Sequence, residues 1–327
     1  MTGFSSSRGA ITLCVLGALA AAPAHSQTAW APEKPVRLLV GFAPGGSADT
    51  LARLLADPLS AKLGQTVVVE NAAGAGGNIM AYRLAAAAPD GHTIGIGAAG
   101  SFAITFAVNA QGTNYKPTDF TPITQAATQP NVVIVNNDVP AGNLAELKAY
   151  IQATPTATYG TAGFGISNHL IAETMLSKLG VKMEHAAYRG AAPVVTDLLG
   201  GHIAMTVDNI STAAQLVTAG KVKAIGVTTT TRAKQLPNVP TLDEQGLKGF
   251  NMPTWQGVFA PANLPAPIVE TYYKALQEVL TQPEIIEKMA LLGSEPVAGV
   301  TPEAFASFLE ADRAQWAKTA QEADIKL

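Results

Sequence analysis

Apolar positions along the chain fall into short β-period runs that alternate with longer helix-period stretches. The run Val36 to Phe42 ends in Pro44-Gly45-Gly46 and gives way to a helix over Ser47 to Leu63. Thr66 to Glu70 reads as a second strand, Asn78 to Ala87 as a second helix, and His92 to Gly97 as a third strand after the turn Pro89-Asp90-Gly91. Strands spaced by helices in this way predict a parallel sheet with helices on both faces. The stretch holding Tyr115-Lys116-Pro117 and Phe120-Thr121-Pro122 reads as irregular.

A second unit begins with the strand Asn131 to Asn136 and the helix Leu144 to Thr154. Ala157 to Tyr159 then feeds a helix over Asn168 to Leu179, with Leu170, Met175, Leu176 and Leu179 on one face. A helix Ala191 to Leu199, a strand Ile203 to Val207, a helix Ser211 to Ala219 and a strand Lys223 to Thr228 follow. The tail is helical over Pro267 to Leu280, Pro283 to Leu292 and Pro302 to Ala323, each opened by a first-turn proline. It packs back on the first unit, with crossings expected near residues 126–131 and 245–255.

The chemistry concentrates where strands turn into helices. Gly45-Gly46, Gly74-Ala75-Gly76-Gly77 and Gly163-Phe164-Gly165 each follow a strand and precede a helix. Glycine lets a ligand approach the main chain, and the first helical amides have no partners of their own, so such a terminus attracts an anion. The bland reading of the first loop is a tight turn with Ser47 as N-cap and Asp49 as a first-turn acid. Three loops of one kind can instead converge on a cleft beyond the carboxyl ends of the strands, where ligands of such sheets bind.

The N-terminus carries Arg8, an uncharged apolar run from Ala10 to Ala22 and then Pro23-Ala24-His25-Ser26-Gln27, the order of a secretory signal. Cleavage is expected after Ser26, with Ala24 the alternative. Cys14, the one cysteine, lies inside this leader, so the mature chain forms no disulfide. Its predecessors Ile11-Thr12-Leu13 lack the small residue that precedes a lipid-modified cysteine. Export of such a chain predicts the periplasm. Loss of Arg8 takes the formal charge from −3 to −4, which gives no reason to expect nucleic acid or an anionic membrane as partner.

Two enzymatic readings compete. Gly95-Ile96-Gly97-Ala98-Ala99-Gly100 with Asp119 beyond matches a dinucleotide fingerprint, but its first two glycines fall in the strand itself. A hydrolase lacks a GxSxG elbow here, and Ser47 and Ser101 have no recognisable base nearby in sequence. The histidines show no paired ligand spacing, so neither metal nor cofactor is expected and no catalytic residue is assigned. His169 reads as a packed or capping residue with a ligand role as its rival. Arg189, at the end of a strand, is the best basic candidate for a distal carboxylate, against the plainer reading of a surface ion pair.

Motifs along the whole mature chain then point one way. Phe42-x-Pro44-Gly45-Gly46-x-x-Asp49, Glu70-Asn71, Gly74-Ala75-Gly76-Gly77, Pro89-Asp90-Gly91, Gly163-x-Gly165 with His169-Leu170, Tyr188-Arg189-Gly190, Asp197-Leu198-Leu199-Gly200-Gly201, Pro237-x-Val239-Pro240-Thr241 and Trp255-x-Gly257 stand in this order. In this the chain resembles the Bug receptors, the extracytoplasmic solute receptors of tripartite tricarboxylate transporters. The resemblance implies an α/β, two-domain periplasmic-binding-protein (Venus flytrap) fold with crossing hinge strands. It implies a leader over 1–26, a discontinuous first domain of 27–128 with 251–327, and a second domain of 129–250. It also implies a monomer that captures a small organic carboxylate and presents it to the large and small membrane subunits of a transporter; delivery to a membrane kinase is the alternative.

Carried onto this sequence, the ligand-binding candidates are Phe42, Gly45, Gly46, Ser47, Asp49, Gly76, Gly77 and Asn78 from the first domain. Thr161, Phe164, Gly165, Ser167 and Asp208 come from the second, with Ser101, Ile166, His169 and Arg189 as further possibilities. Asp49 would repel a carboxylate if it faced one, so it is expected to accept loop or helix amides and hold the cradle in shape. Ile166 stands where these receptors usually place a hydroxyl, Ala72-Ala73 replaces Arg-Pro, and Ala204 lacks a common acid. These departures favour a longer, partly apolar mono- or dicarboxylate over citrate or aspartate.

Overall fold

The computed structural model describes residues 1–4, 30–108 and 112–322; the leader and its cleavage point near Ser26 lie outside the described residues. The chain runs β1 (Val36–Val40), α1 (Ser47–Leu63), β2 (Val67–Asn71), α2 (Asn78–Ala85), β3 (Thr93–Ala98), a π-helical turn (Gly100–Ile104) leading into α3 (Thr105–Val108), and β4 (Phe120–Gln129). It continues through β5 (Asn131–Val135), α4 (Leu144–Ala153), β6 (Thr158–Thr161), α5 (Ser167–Leu179), β7 (Glu184–Ala187), α6 (Ala191–Leu199), β8 (Met205–Asn209), α7 (Ile210–Thr218) and β9 (Lys223–Val227). The last part is β10 (Thr254–Pro261), α8 (Ala266–Leu280), α9 (Pro283–Leu291), β11 (Glu295–Pro296) and α10 (Pro302–Glu322).

Two sheets result, ordered β11-β4-β10-β3-β1-β2 and β7-β6-β8-β5-β9. This is the α/β two-lobed fold of periplasmic binding proteins. Both sheets are mixed, which corrects the expectation of a purely parallel one: β2-β1-β3 are parallel, but β10 runs antiparallel between β3 and β4. The irregular reading of the segment after Pro117 is also corrected, since Phe120–Gln129 is a ten-residue strand despite Pro122. A register shift in the β4–β10 pairing between Val258 and Phe259, the residue opposite Pro122, accommodates the missing donor.

α1 shows why these residues form these elements. Leu51, Leu55, Leu59 and Leu63 repeat at helical spacing and are buried, and Gly64 ends the helix in the left-handed conformation, its N–H on the Ser60 carbonyl. Burying each leucine contributes about 1.5–3 kcal/mol. The glycines of the supposed dinucleotide fingerprint serve packing. A Cβ on Gly97 would lie 2.4 Å from the Phe102 ring and 2.8 Å from Phe259, and those two rings stack at 3.9 Å.

The chain passes between sheets at Gln129-Pro130-Asn131 and again where Met252-Pro253 leads into Thr254. The two passages are tied together: Asn131 Nδ2 donates to Thr254 Oγ1 at 2.9 Å, and Met252 N–H donates to the Thr228 carbonyl at 2.8 Å. Among the described residues no helix is long and apolar enough to cross a membrane.

Candidate functional site

The carboxyl ends of β1, β3, β6 and β8 face one another across the gap between the sheets, and the glycine loops fill it. A chamber of about 60 Å³ is lined by Gly46, Ser47, Ile166, Ser167, Asp208 and Asn209, among others. A second, of about 80 Å³, lies against Gly76, Gly77, Gly163, Phe164 and Arg189. Both touch Phe42, Ala43, Ala162 and Gly190, so the two chambers adjoin. The lobes are closed on each other: a Cβ on Gly76 would lie 3.0 Å from both Ile166 Cγ2 and the Phe164 carbonyl. Glycine is therefore required at Gly76 twice, for this approach and for its φ of 64°.

Ser47 is the polar centre of the inner chamber. It is the first residue of α1 and Gly46 is the N-cap, one position earlier than the turn reading placed the cap. Its Oγ accepts from Asn209 Nδ2 at 3.0 Å, across the cleft, and from Gln256 Nε2 at 3.1 Å. With both lone pairs taken, the hydroxyl has only its proton left to offer, and it offers it as a donor.

Asp49 is turned away from the cleft. Its Oδ2 accepts from Gly45 N–H and Arg53 Nε, each at 3.0 Å, and its Oδ1 from Asn71 Nδ2 at 2.9 Å. Burial pushes this carboxyl up, but the bonds from Arg53, Gly45 and Asn71 outweigh it and hold the carboxyl below its ordinary value. Gly45, at φ 88°, thus shapes the loop through Asp49.

Asp208 stands on the facing wall, 5% exposed, accepting from Asn209 N–H at 2.8 Å and Thr212 Oγ1 at 2.5 Å. Burial dominates here and pushes its carboxyl up to about 6, against the lowering by those two bonds. Ser167 is buried beside it, its Oγ 3.4 Å from Thr254 Oγ1. Ile166 adds an apolar wall.

Several candidates support the loops and do not line either chamber. Asn78 Oδ1 accepts from Tyr115 Oη at 2.7 Å, so its amide points into the protein. Ser101 lies behind the second loop, its Oγ 3.1 Å from where a Gly77 Cβ would be. Thr161 Oγ1 donates to the Gly163 carbonyl at 2.7 Å and accepts from His185 Nε2 at 2.7 Å. His169 Nδ1 accepts from Gly165 N–H at 3.2 Å, and its ring stacks on His185 at 4.0 Å. The Thr161–His185 and Gly165–His169 bonds make Nε2 the protonated nitrogen of each ring. Burial, with the neighbouring His185, holds His169 down at about 3, and burial holds His185 at about 4, so both are neutral props under the third loop. Phe164, 52% exposed, lies with its ring 4.9 Å from that of His169 at the mouth of the outer chamber.

Arg189 borders the outer chamber and makes no ion pair among the described residues. Sequence reasoning missed Asn209 and Gln256, which lie 162 and 209 positions from the serine they bond. The one local signal is a polar side chain at the carboxyl end of β8 and another inside Trp255-x-Gly257. No group of three or more metal-ligating side chains occurs among the described residues.

The same fold recurs in known proteins. Residues 51–325 match the model of the tripartite tricarboxylate transporter family receptor. The periplasmic binding protein BugD is 37% identical, with a TM-score of 0.86 over 90% of this chain and 99% of that one. A Rhodopseudomonas palustris protein, Rpa4515, solved with adipate, is 34% identical at a TM-score of 0.86, over 90% and 99% of the two chains. MatC of the same species, with bound malate, is 30% identical at 0.84, over 88% and 99%.

Proposed function

The chain belongs to the tripartite tricarboxylate transporter receptor family, whose members are solute-binding receptors and not enzymes, and from that premise we propose that it captures a dicarboxylate between its lobes. The observation that carries this reading is Ser47: a hydroxyl committed to donation at the N-terminus of a 17-residue helix, facing a chamber that both lobes enclose. One carboxylate sits in the inner chamber on Ser47 and the first amides of α1, which offer about half a positive charge. The other reaches through the junction at Ala43 and Gly190 to the outer chamber, where Arg189 and the Gly76-Gly77 main chain stand. Rpa4515 and MatC, which hold adipate and malate, support a ligand of this class.

Closure supplies the signal. A ligand touching Ser47 on one lobe and the Asp208 wall on the other favours the closed form by its differential affinity, so a partner can tell loaded from empty. The loaded form is delivered, as an exported monomer, to the membrane subunits of a transporter. Thermal unfolding of the mature protein, refolded to strip bound ligand, tests the reading against mono-, di- and tricarboxylates, amino acids and nicotinamide dinucleotides. A concentration-dependent rise with a dicarboxylate is expected. A rise with the dinucleotides alone would overturn it.

A further inference from the structure

Away from the cleft, beside the passage between the sheets, lies an open-mouthed cavity of about 390 Å³. One wall is α10 with Trp255 of β10, another is the carboxyl half of α5 with Thr174, Ser177 and Lys178, and the third is the passage segment Gly249 to Pro253. This volume falls in the range of small-molecule sites. None of its lining residues borders the two chambers of the cleft.

The charged groups on the cavity wall are Asp312, Glu322 and Lys178, and the surface around Asp312 is aromatic. Trp255 Nε1 and Trp316 Nε1 both donate to one oxygen, Asp312 Oδ2, at 2.8 and 3.1 Å. The other oxygen, Oδ1, takes no hydrogen bond among the described residues. Phe308 stands edge-on to Trp255 at 5.7 Å and extends the aromatic surface beside the carboxylate. Burial pushes the Asp312 carboxyl up in spite of both indoles and nearby Arg313, so its charge is short of compensation. Arg313 is itself engaged, with Glu310 at 2.5 Å and the Phe102 carbonyl at 3.4 Å.

We propose that this cavity is a second ligand site, taking a small organic ammonium ion whose nitrogen pairs with Asp312 Oδ1 and whose apolar body lies on Trp255, Trp316 and Phe308. An ammonium beside indole faces gains from the ring quadrupole as well as from the carboxylate. Because α5 belongs to one sheet's layer and α10 to the other's, such a ligand touches both lobes and the segment that joins them. The site therefore reports on, and acts on, the angle between the lobes.

The test uses benzylamine as probe, with benzyl alcohol and benzoate as matched controls, in thermal unfolding and saturation-transfer NMR on the full mature protein. Benzylamine is expected to raise the unfolding temperature and to show saturable ring contacts. D312N, which keeps an acceptor for the indoles, should weaken it roughly tenfold or more. S177W, an exposed position on the α5 wall where a large ring fills the cavity, should abolish the contacts without touching Asp312. Equal response to benzyl alcohol, an unchanged response in both variants, or no response to benzylamine would each overturn the site.

Discussion

Replacing Ser47 by alanine removes one oxygen that does three things. In the closed form it accepts from Asn209 and Gln256, and in the proposed complex it donates to the ligand carboxylate. The lost charge-assisted bond is worth about 1.5–3 kcal/mol. Gln256 is only 3% exposed and lies on β10 in the same lobe as α1, so its stranded amide costs about 1–3 kcal/mol in the empty protein as in the loaded one and falls on folding. Opening lets water satisfy Asn209, so its share falls on the closing equilibrium and not on folding. The ligand bond and the Asn209 share, about 1–3 kcal/mol, together cost roughly 3–5 kcal/mol of ligand affinity, or a few hundred-fold to a few thousand-fold in Kd, while the empty protein loses the Gln256 share. Titration calorimetry gives the Kd, and urea unfolding of the empty variant gives the stability. An affinity loss under about threefold would refute the donor role.

Three further outcomes follow from the same geometry. Asp208 is raised to about 6 and a bound carboxylate raises it further, so binding takes up a proton; Kd should increase with pH above about 6, and D208N should flatten that slope in calorimetry. His169 and His185 are depressed to about 3 and about 4, so the stability they contribute is complete above their ordinary value near 6.5 and is lost as pH falls toward 4. The loss, which solvent screening reduces at the partly exposed His185, is read by urea unfolding across pH, and a double glutamine variant should lose less over that window. Gly97→Ala places a methyl 2.4 Å from the Phe102 ring in a packed stack and should destabilise by about 1–3 kcal/mol in urea unfolding without altering ligand preference.

The parts of the fold that were readable in the sequence are those that local chemistry determines. α1 runs over Ser47–Leu63 as its leucine spacing predicts, and α6 over Ala191–Leu199. β4 was hidden because Phe-Thr-Pro-Ile-Thr-Gln-Ala-Ala-Thr-Gln carries a proline and no clean alternation. Its strand character comes from β10 and β11, more than a hundred positions away, which pair with it from either side. The glycine loops were legible for the same local reason. Which of their neighbours face the cleft was not: Asn78, Thr161 and His169 carry donors and acceptors beside the loops, yet Tyr115 holds the first and His185 the other two inward. Asn209 matters only because closure brings β8 against α1, a contact no local pattern encodes.

The most direct measurement is titration calorimetry of the refolded mature protein with adipate, malate and the neighbouring straight-chain diacids, each beside its diamide. Saturable binding of at least one diacid at about micromolar Kd or tighter, absent for its diamide, is the predicted result. Equal binding of diacid and diamide, or no diacid binding while a dinucleotide or neutral solute binds, would contradict a carboxylate receptor.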